Sequence, residues 1–268
     1  MSKTIKVLIV TGICFLCFYL LMDFQFARVR DTFDQLIHQR GVSHILAYIF
    51  VGIPVFVGAV GINELKSIWE SLGMHKDFVR GVFIALFFTT PMFVGFAFFF
   101  EINATLTLNE FLIGAVAAAF FEELYFRGFL FGQLFRFTRF GFIPSVILGA
   151  IIFASGHLWQ SHDPSVLFGI FITTFMGAIL FAWLYVEWNY NLYVAIFMHF
   201  FMNFSWMLFD VSENALGNSY GNLFRYITVA LAIAYTVISK LSRGEKLAIN
   251  RKTLWIKPQP TLDKLELE

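Results

Sequence analysis

Long apolar runs, broken at intervals by short polar segments, set the pattern of this chain more than any alternation of two or stripe of three to four. A helix that crosses a bilayer needs about 20 mostly apolar residues. Eight runs come close to that length: residues 5–22, 45–62, 82–100, 111–135, 143–159, 166–186, 192–209 and 223–240. Backbone polar groups in hydrocarbon must be satisfied within their own segment or in a closed barrel. Runs of this length therefore predict an all-α fold, a polytopic membrane helix bundle of about eight transmembrane helices. The first run follows Lys3 and Lys6 as a signal peptide would, but Asp23-Phe-Gln-Phe-Ala-Arg28 supplies no small-x-small cleavage site, so it reads as a retained anchor.

Composition strengthens this picture. The 268 residues are 59% hydrophobic and 14% charged, with a mean hydropathy of +0.74, whereas a soluble domain carries about 25% charged residues. Nineteen basic against eighteen acidic residues leave no bulk charge for nucleic acid. The partners expected are the lipid bilayer and a substrate met there. Cys14 and Cys17 lie in one apolar run, which removes a disulfide framework and reads as packing.

Lys and Arg collect in cytoplasmic loops. With the N-terminus inside, the inner segments hold fourteen of these residues and the outer loops only Arg28, Arg30 and Arg40. An even number of spans then leaves both termini cytoplasmic. The expected division is three N-terminal spans in 1–109, a motif-bearing core in 110–209, a last span in 210–240 and a flexible basic tail in 241–268 that hugs the lipid surface.

The chemistry enters through polar groups inside the spans, each costing about 2.5–3.5 kcal/mol at a helix centre. They concentrate in three places: Glu122-Glu123-Leu-Tyr-Phe-Arg127 in the fourth span, Phe153-Ala-Ser-Gly-His157 in the fifth, and His199-Phe-Phe-Met-Asn203 in the seventh. Glu123 and Arg127, at i and i+4, can pair on one helical face. Glu122 points about 100° away and must meet a neighbouring span, which leaves it free for chemistry. A structural ion-pair knot is the plain alternative. His199 and Asn203 share a face as hydrogen-bond donors, fit either to an oxyanion or to joining helices. His157 and His199 fall roughly 9–10 Å apart in depth by helical rise, so one shared site needs tilt or a shortened fifth span. Thr89-Thr90-Pro91 and Thr173-Thr174 read as local backbone partners, and Trp159, Trp183, Trp188 and Trp206 as an interfacial belt.

In order and on separate spans, Glu-Glu-x-x-x-Arg (Glu122, Glu123, Arg127), Phe-x-x-x-His (Phe153, His157) and His-x-x-x-Asn (His199, Asn203) resemble the CAAX protease and bacteriocin-processing family of intramembrane proteases, also called the abortive-infection family. The resemblance covers roughly residues 110–209. It implies peptide-bond hydrolysis at the membrane. Glu122, helped by His157, would activate water; His199 and Asn203 would stabilise the oxyanion; Glu123 and Arg127 would support Glu122. A cofactor is left open: either none, or a single divalent metal such as zinc held by Glu122, His157 and His199, as the metalloprotease label given to relatives suggests. Substrates implied are CAAX-type proteins or leader peptides, with bacteriocin maturation or immunity as settings, in a bacterial inner membrane. A proton-coupled transporter or channel, or a catalytically silent scaffold or immunity protein, are the competing readings.

Overall fold

The computed structural model describes residues 3–258. The last part of the expected tail, 259–268, lies outside the described residues. All regular structure among the described residues is helical: α1 (Lys3–Phe24), α2 (Phe26–Ile37), α3 (Arg40–Val51), α4 (Ile53–Asn63), α5 (Phe78–Phe99), α6 (residues 108–137), α7 (Phe142–Ser155), α8 (Pro164–Glu187), α9 (Leu192–Leu208) and α10 (Ser219–Ser242). Short helical turns occupy 65–71 and 158–160.

Six segments are long and apolar enough to cross a membrane: Lys3–Phe24, Arg40–Asn63, Phe78–Phe99, Phe142–Gln160, Pro164–Glu187 and Ser219–Ser242. The second joins α3 and α4 end to end across Gly52. Leu192–Leu208 is apolar but shorter. The fourth predicted run is α6, a continuous rod that changes pitch, with π-helical turns over Phe111–Ala117 and Glu123–Phe131. The chain is thus a polytopic membrane protein whose apolar rods fall on the eight runs expected. Outward-facing Ile13, Val57, Phe83, Phe98 and Ile238 are exposed, as side chains solvated by acyl chains are.

Polar side chains mark where rods begin. Thr107 and Glu110 form a capping box ahead of α6, and Asp77, Asp163, Asn191 and Asn218 accept backbone N–H bonds at the starts of α5, α8, α9 and α10. Within α5, Pro91 lacks an N–H, and Thr89 and Thr90 donate to the carbonyls of Ala85 and Leu86.

Rod α6 runs through the middle, against α1, α3, α4, α7, α8 and α9, while α5 packs on α9 and α10. Its Tyr125, Phe129 and Gln133 are fully enclosed. Gly52 is required by a close approach: a Cβ there would collide with the Tyr125 hydroxyl, which donates to the Tyr48 carbonyl at 2.8 Å.

Two expectations change. The tail is not free of the bundle as far as Lys257: the N–H groups of Gly141, Phe142 and Ile143 donate to carbonyls of Trp255, Thr253 and Leu254, and Lys257 N–H donates to Arg139. Backbone-to-backbone bonds of this kind have no side-chain signature. Trp188 and Trp206 also turn inward, because their indole N–H groups find Thr236 and the Ser212 carbonyl, whereas Trp159 is exposed.

Candidate active site

The three motifs sit on α6, on α7 with the turn that follows it, and on α9. Glu123 and Arg127 occupy the second π-helical stretch of α6 and are both buried. Their side chains pair at 3.1 Å, Nη1 to Oε1, as the i, i+4 spacing predicts. The same Oε1 accepts from His199 Nδ1 at 2.8 Å, so Glu123 ties α6 to α9. Arg127 lies over the Phe153 ring at 4.4 Å and the Phe181 ring at 5.6 Å. Phe181 also stacks on His199, with centroids 5.3 Å apart and planes 14° apart. The guanidinium is thus held between one carboxylate and two aromatic faces, an arrangement that keeps a cation in a dry interior.

Glu122 stands apart from this knot. Its side chain is 20% exposed against 0% for Glu123, and its carboxylate makes no hydrogen bond among the described residues. The partner on a neighbouring span is His199: Nε2 lies 4.0 Å from Glu122 Oε2. That gap is too long for a direct hydrogen bond and short enough for one water to contact both atoms. With Nδ1–H donated to Glu123, a neutral His199 presents an acceptor lone pair at Nε2 toward Glu122, and a protonated one presents a donor.

Asn203 Nδ2 donates to the Gly114 carbonyl at 2.9 Å, in the first π-helical stretch of α6. One of its two amide hydrogens is therefore committed to joining helices. The other is the one an oxyanion would require.

His157 follows the end of α7, and its Nδ1 bonds the Phe153 carbonyl at 2.8 Å. A carbonyl only accepts, so Nδ1 carries the hydrogen and Nε2 is left as an acceptor. Among the described residues His157 makes no hydrogen bond or ion pair with Glu122, Glu123, His199 or Asn203. Its link to the cluster runs through Phe153, whose ring carries Arg127. Of the sequence-expected site, the structure brings together Glu122, Glu123, Arg127 and His199, sets Asn203 one turn along on the same rod as His199, and keeps His157 outside direct contact. Both imidazoles use Nδ1 in a hydrogen bond, which leaves each Nε2 as the nitrogen a metal would require; among the described residues no three His, Cys, Asp or Glu side chains are grouped to hold a metal ion. Glu122, His157 and His199 do not form such a group among the described residues.

Several contributors went unread in the sequence. Phe181 touches both His199 and Arg127 but cannot be singled out by type among 37 Phe. Tyr48 stacks on Phe121, next to Glu122, at 4.9 Å and 5°. Together with the Tyr125 bond to its carbonyl, this braces α3 against α6 on either side of Glu122.

Residues 104–205 match the family model of the type II CAAX prenyl endopeptidase Rce1-like proteins. The matched stretch holds all three motifs and is consistent with the resemblance drawn from them; the family implies a protease. No curated protein and no solved structure matches the chain.

Proposed function

From the Rce1-like match over residues 104–205 as premise, we propose that this chain is an intramembrane endopeptidase in which Glu122 activates a water for attack on a peptide carbonyl of a membrane-associated substrate. The observation that carries this reading is the unequal state of two adjacent carboxylates. Glu123 is spent on Arg127 and His199, whereas Glu122 is partly exposed and stands 4.0 Å from His199 Nε2, close enough for one water to contact both.

In the proposed step one water contacts both Glu122 and His199. As its oxygen bonds the carbonyl carbon, its proton passes to the Glu122 carboxylate and the carbonyl π electrons move to oxygen. The second amide hydrogen of Asn203 is the donor available to that oxyanion, and His199 orients the water from the side opposite Glu122. Collapse of the tetrahedral species restores the carbonyl and breaks the C–N bond, and the leaving amine takes the proton back from Glu122. His157, whose Nε2 makes no hydrogen bond among the described residues, would help Glu122 through the water or through the bound substrate on the Phe153 side. The family description points to prenylated C-terminal CAAX peptides as the first substrate class to test; bacteriocin leader peptides are the second.

The test compares the purified chain with Glu122→Gln on a farnesylated CAAX peptide, alongside peptidomics of membranes from cells carrying either form. The expected result is loss of at least about 100-fold in cleavage, the usual scale for a general base. Peptide products unchanged by Glu122→Gln in both assays would remove Glu122 from the chemistry.

A further inference from the structure

The bundle presents a cationic surface that the proposed chemistry does not use. At the end where α6 finishes and α7 begins, residues 243–257 form a strap across the helix ends. It is anchored from inside. Glu187 Oε2 accepts from Lys240 Nζ at 2.7 Å and from Ala248 N–H at 3.0 Å, and Oε1 accepts from Ile249 N–H at 2.9 Å. Further along, the carbonyls of Thr253, Leu254 and Trp255 receive the first N–H groups of α7 at 2.7–2.9 Å, where Gly141 offers no side-chain cap.

Ala248 and Ile249 pack against the core and Lys257 reaches inward to the Phe135 carbonyl and ring, whereas the side chains of Lys246, Arg251, Lys252, Trp255 and Ile256 are exposed. Trp255 is 62% and Ile256 68% exposed. Their backbone is fixed beside Phe142, the first residue of an apolar span, and so at the depth where hydrocarbon gives way to headgroups. On the strap and at Arg139, which accepts from Lys257 N–H, the cations Arg139, Lys246, Arg251 and Lys252 are exposed, and none pairs with a carboxylate among the described residues. The strap's one described acid, Glu245, is taken by Arg243 at 2.7 Å. An exposed indole at interfacial depth, on a strap that with Arg139 carries four exposed unpaired cations, complements one surface in particular, that of a bilayer bearing anionic headgroups.

We infer that the strap is a docking surface for anionic phospholipid headgroups, with Trp255 and Ile256 inserted at the interface and Arg139, Lys246, Arg251 and Lys252 facing the lipid phosphates. The test uses the full chain in nanodiscs and reads Trp255 as the difference between the unaltered protein and Trp255→Phe. Phosphatidylcholine discs receive an equal fraction of brominated phosphatidylglycerol or brominated phosphatidylcholine as quencher. The expected result is quenching at least about twofold stronger by the anionic lipid, shrinking as salt rises. The excess should vanish when the four cations are changed to Gln. Inorganic phosphate should displace it no better than chloride at the same ionic strength; selective displacement would mark a free-phosphate site and overturn the lipid assignment. Equal quenching by the two lipids in the unaltered protein, or none by either, would overturn it as well, without relying on the fold of the fourfold variant.

Discussion

Two neighbouring glutamates differ here because helical geometry sends them to different neighbours. Glu123 is enclosed with Arg127 and His199, and removing one member of a buried ion pair strands the other in a medium that solvates it poorly. Arg127→Ala is therefore expected to destabilise the protein by roughly 3–5 kcal/mol, read as a lowered thermal midpoint in detergent. Glu122→Gln, at a partly exposed position with no hydrogen bond to lose, should melt close to the unaltered protein. A large loss of stability in Glu122→Gln, or none in Arg127→Ala, would contradict this division. The pairing of Glu123 with Arg127 was legible from spacing alone, because i, i+4 neighbours are set by one helix. That His199 rather than His157 would stand beside Glu122 was not legible, since it depends on how far along each rod the histidine sits and how the rods are staggered.

Among the elements, α6 decides the site because every contact between one motif and another touches it. Its two π-helical stretches went unread because pitch is inferred from the recurrence of polar positions: Phe111–Ala117 has none, and Glu123 and Arg127 in the second stretch are too few to separate one pitch from another. The rod is fixed by close contacts instead, and Gly52 is the sharpest. Gly52→Ala would drive a methyl into the Tyr125 hydroxyl and separate it from the Tyr48 carbonyl. Overpacking of this kind is expected to cost about 1–3 kcal/mol. Tyr125→Phe, which removes the hydrogen bond and adds no volume, should cost about 1 kcal/mol. Thermal melts of the two variants check the order; equal midpoints would mean that the contact does not brace α3 against α6.

At the scale of the whole molecule, the strap joins the ends of α7, α8 and α10, and Glu187 is its inner anchor. Glu187→Gln should leave Lys240 buried without its counter-charge and loosen the strap, so that trypsin cuts after Arg251 and Lys252 several-fold faster. Unchanged cleavage would show that the bonds to α7 hold the strap alone. By itself the sequence determined that the chain lives in lipid, roughly where its apolar rods lie, though not the amphipathic α2, and which few polar residues the rods carry inward. These follow from transfer free energy and local helical geometry, which depend only on residue type and spacing. Only the tertiary structure decided which imidazole faces Glu122, which aromatic rings hold Arg127, and that a polar tail returns to cap a helix. Those outcomes arise from stagger between rods and from backbone groups that every residue possesses, so nothing in the order of side chains singles them out.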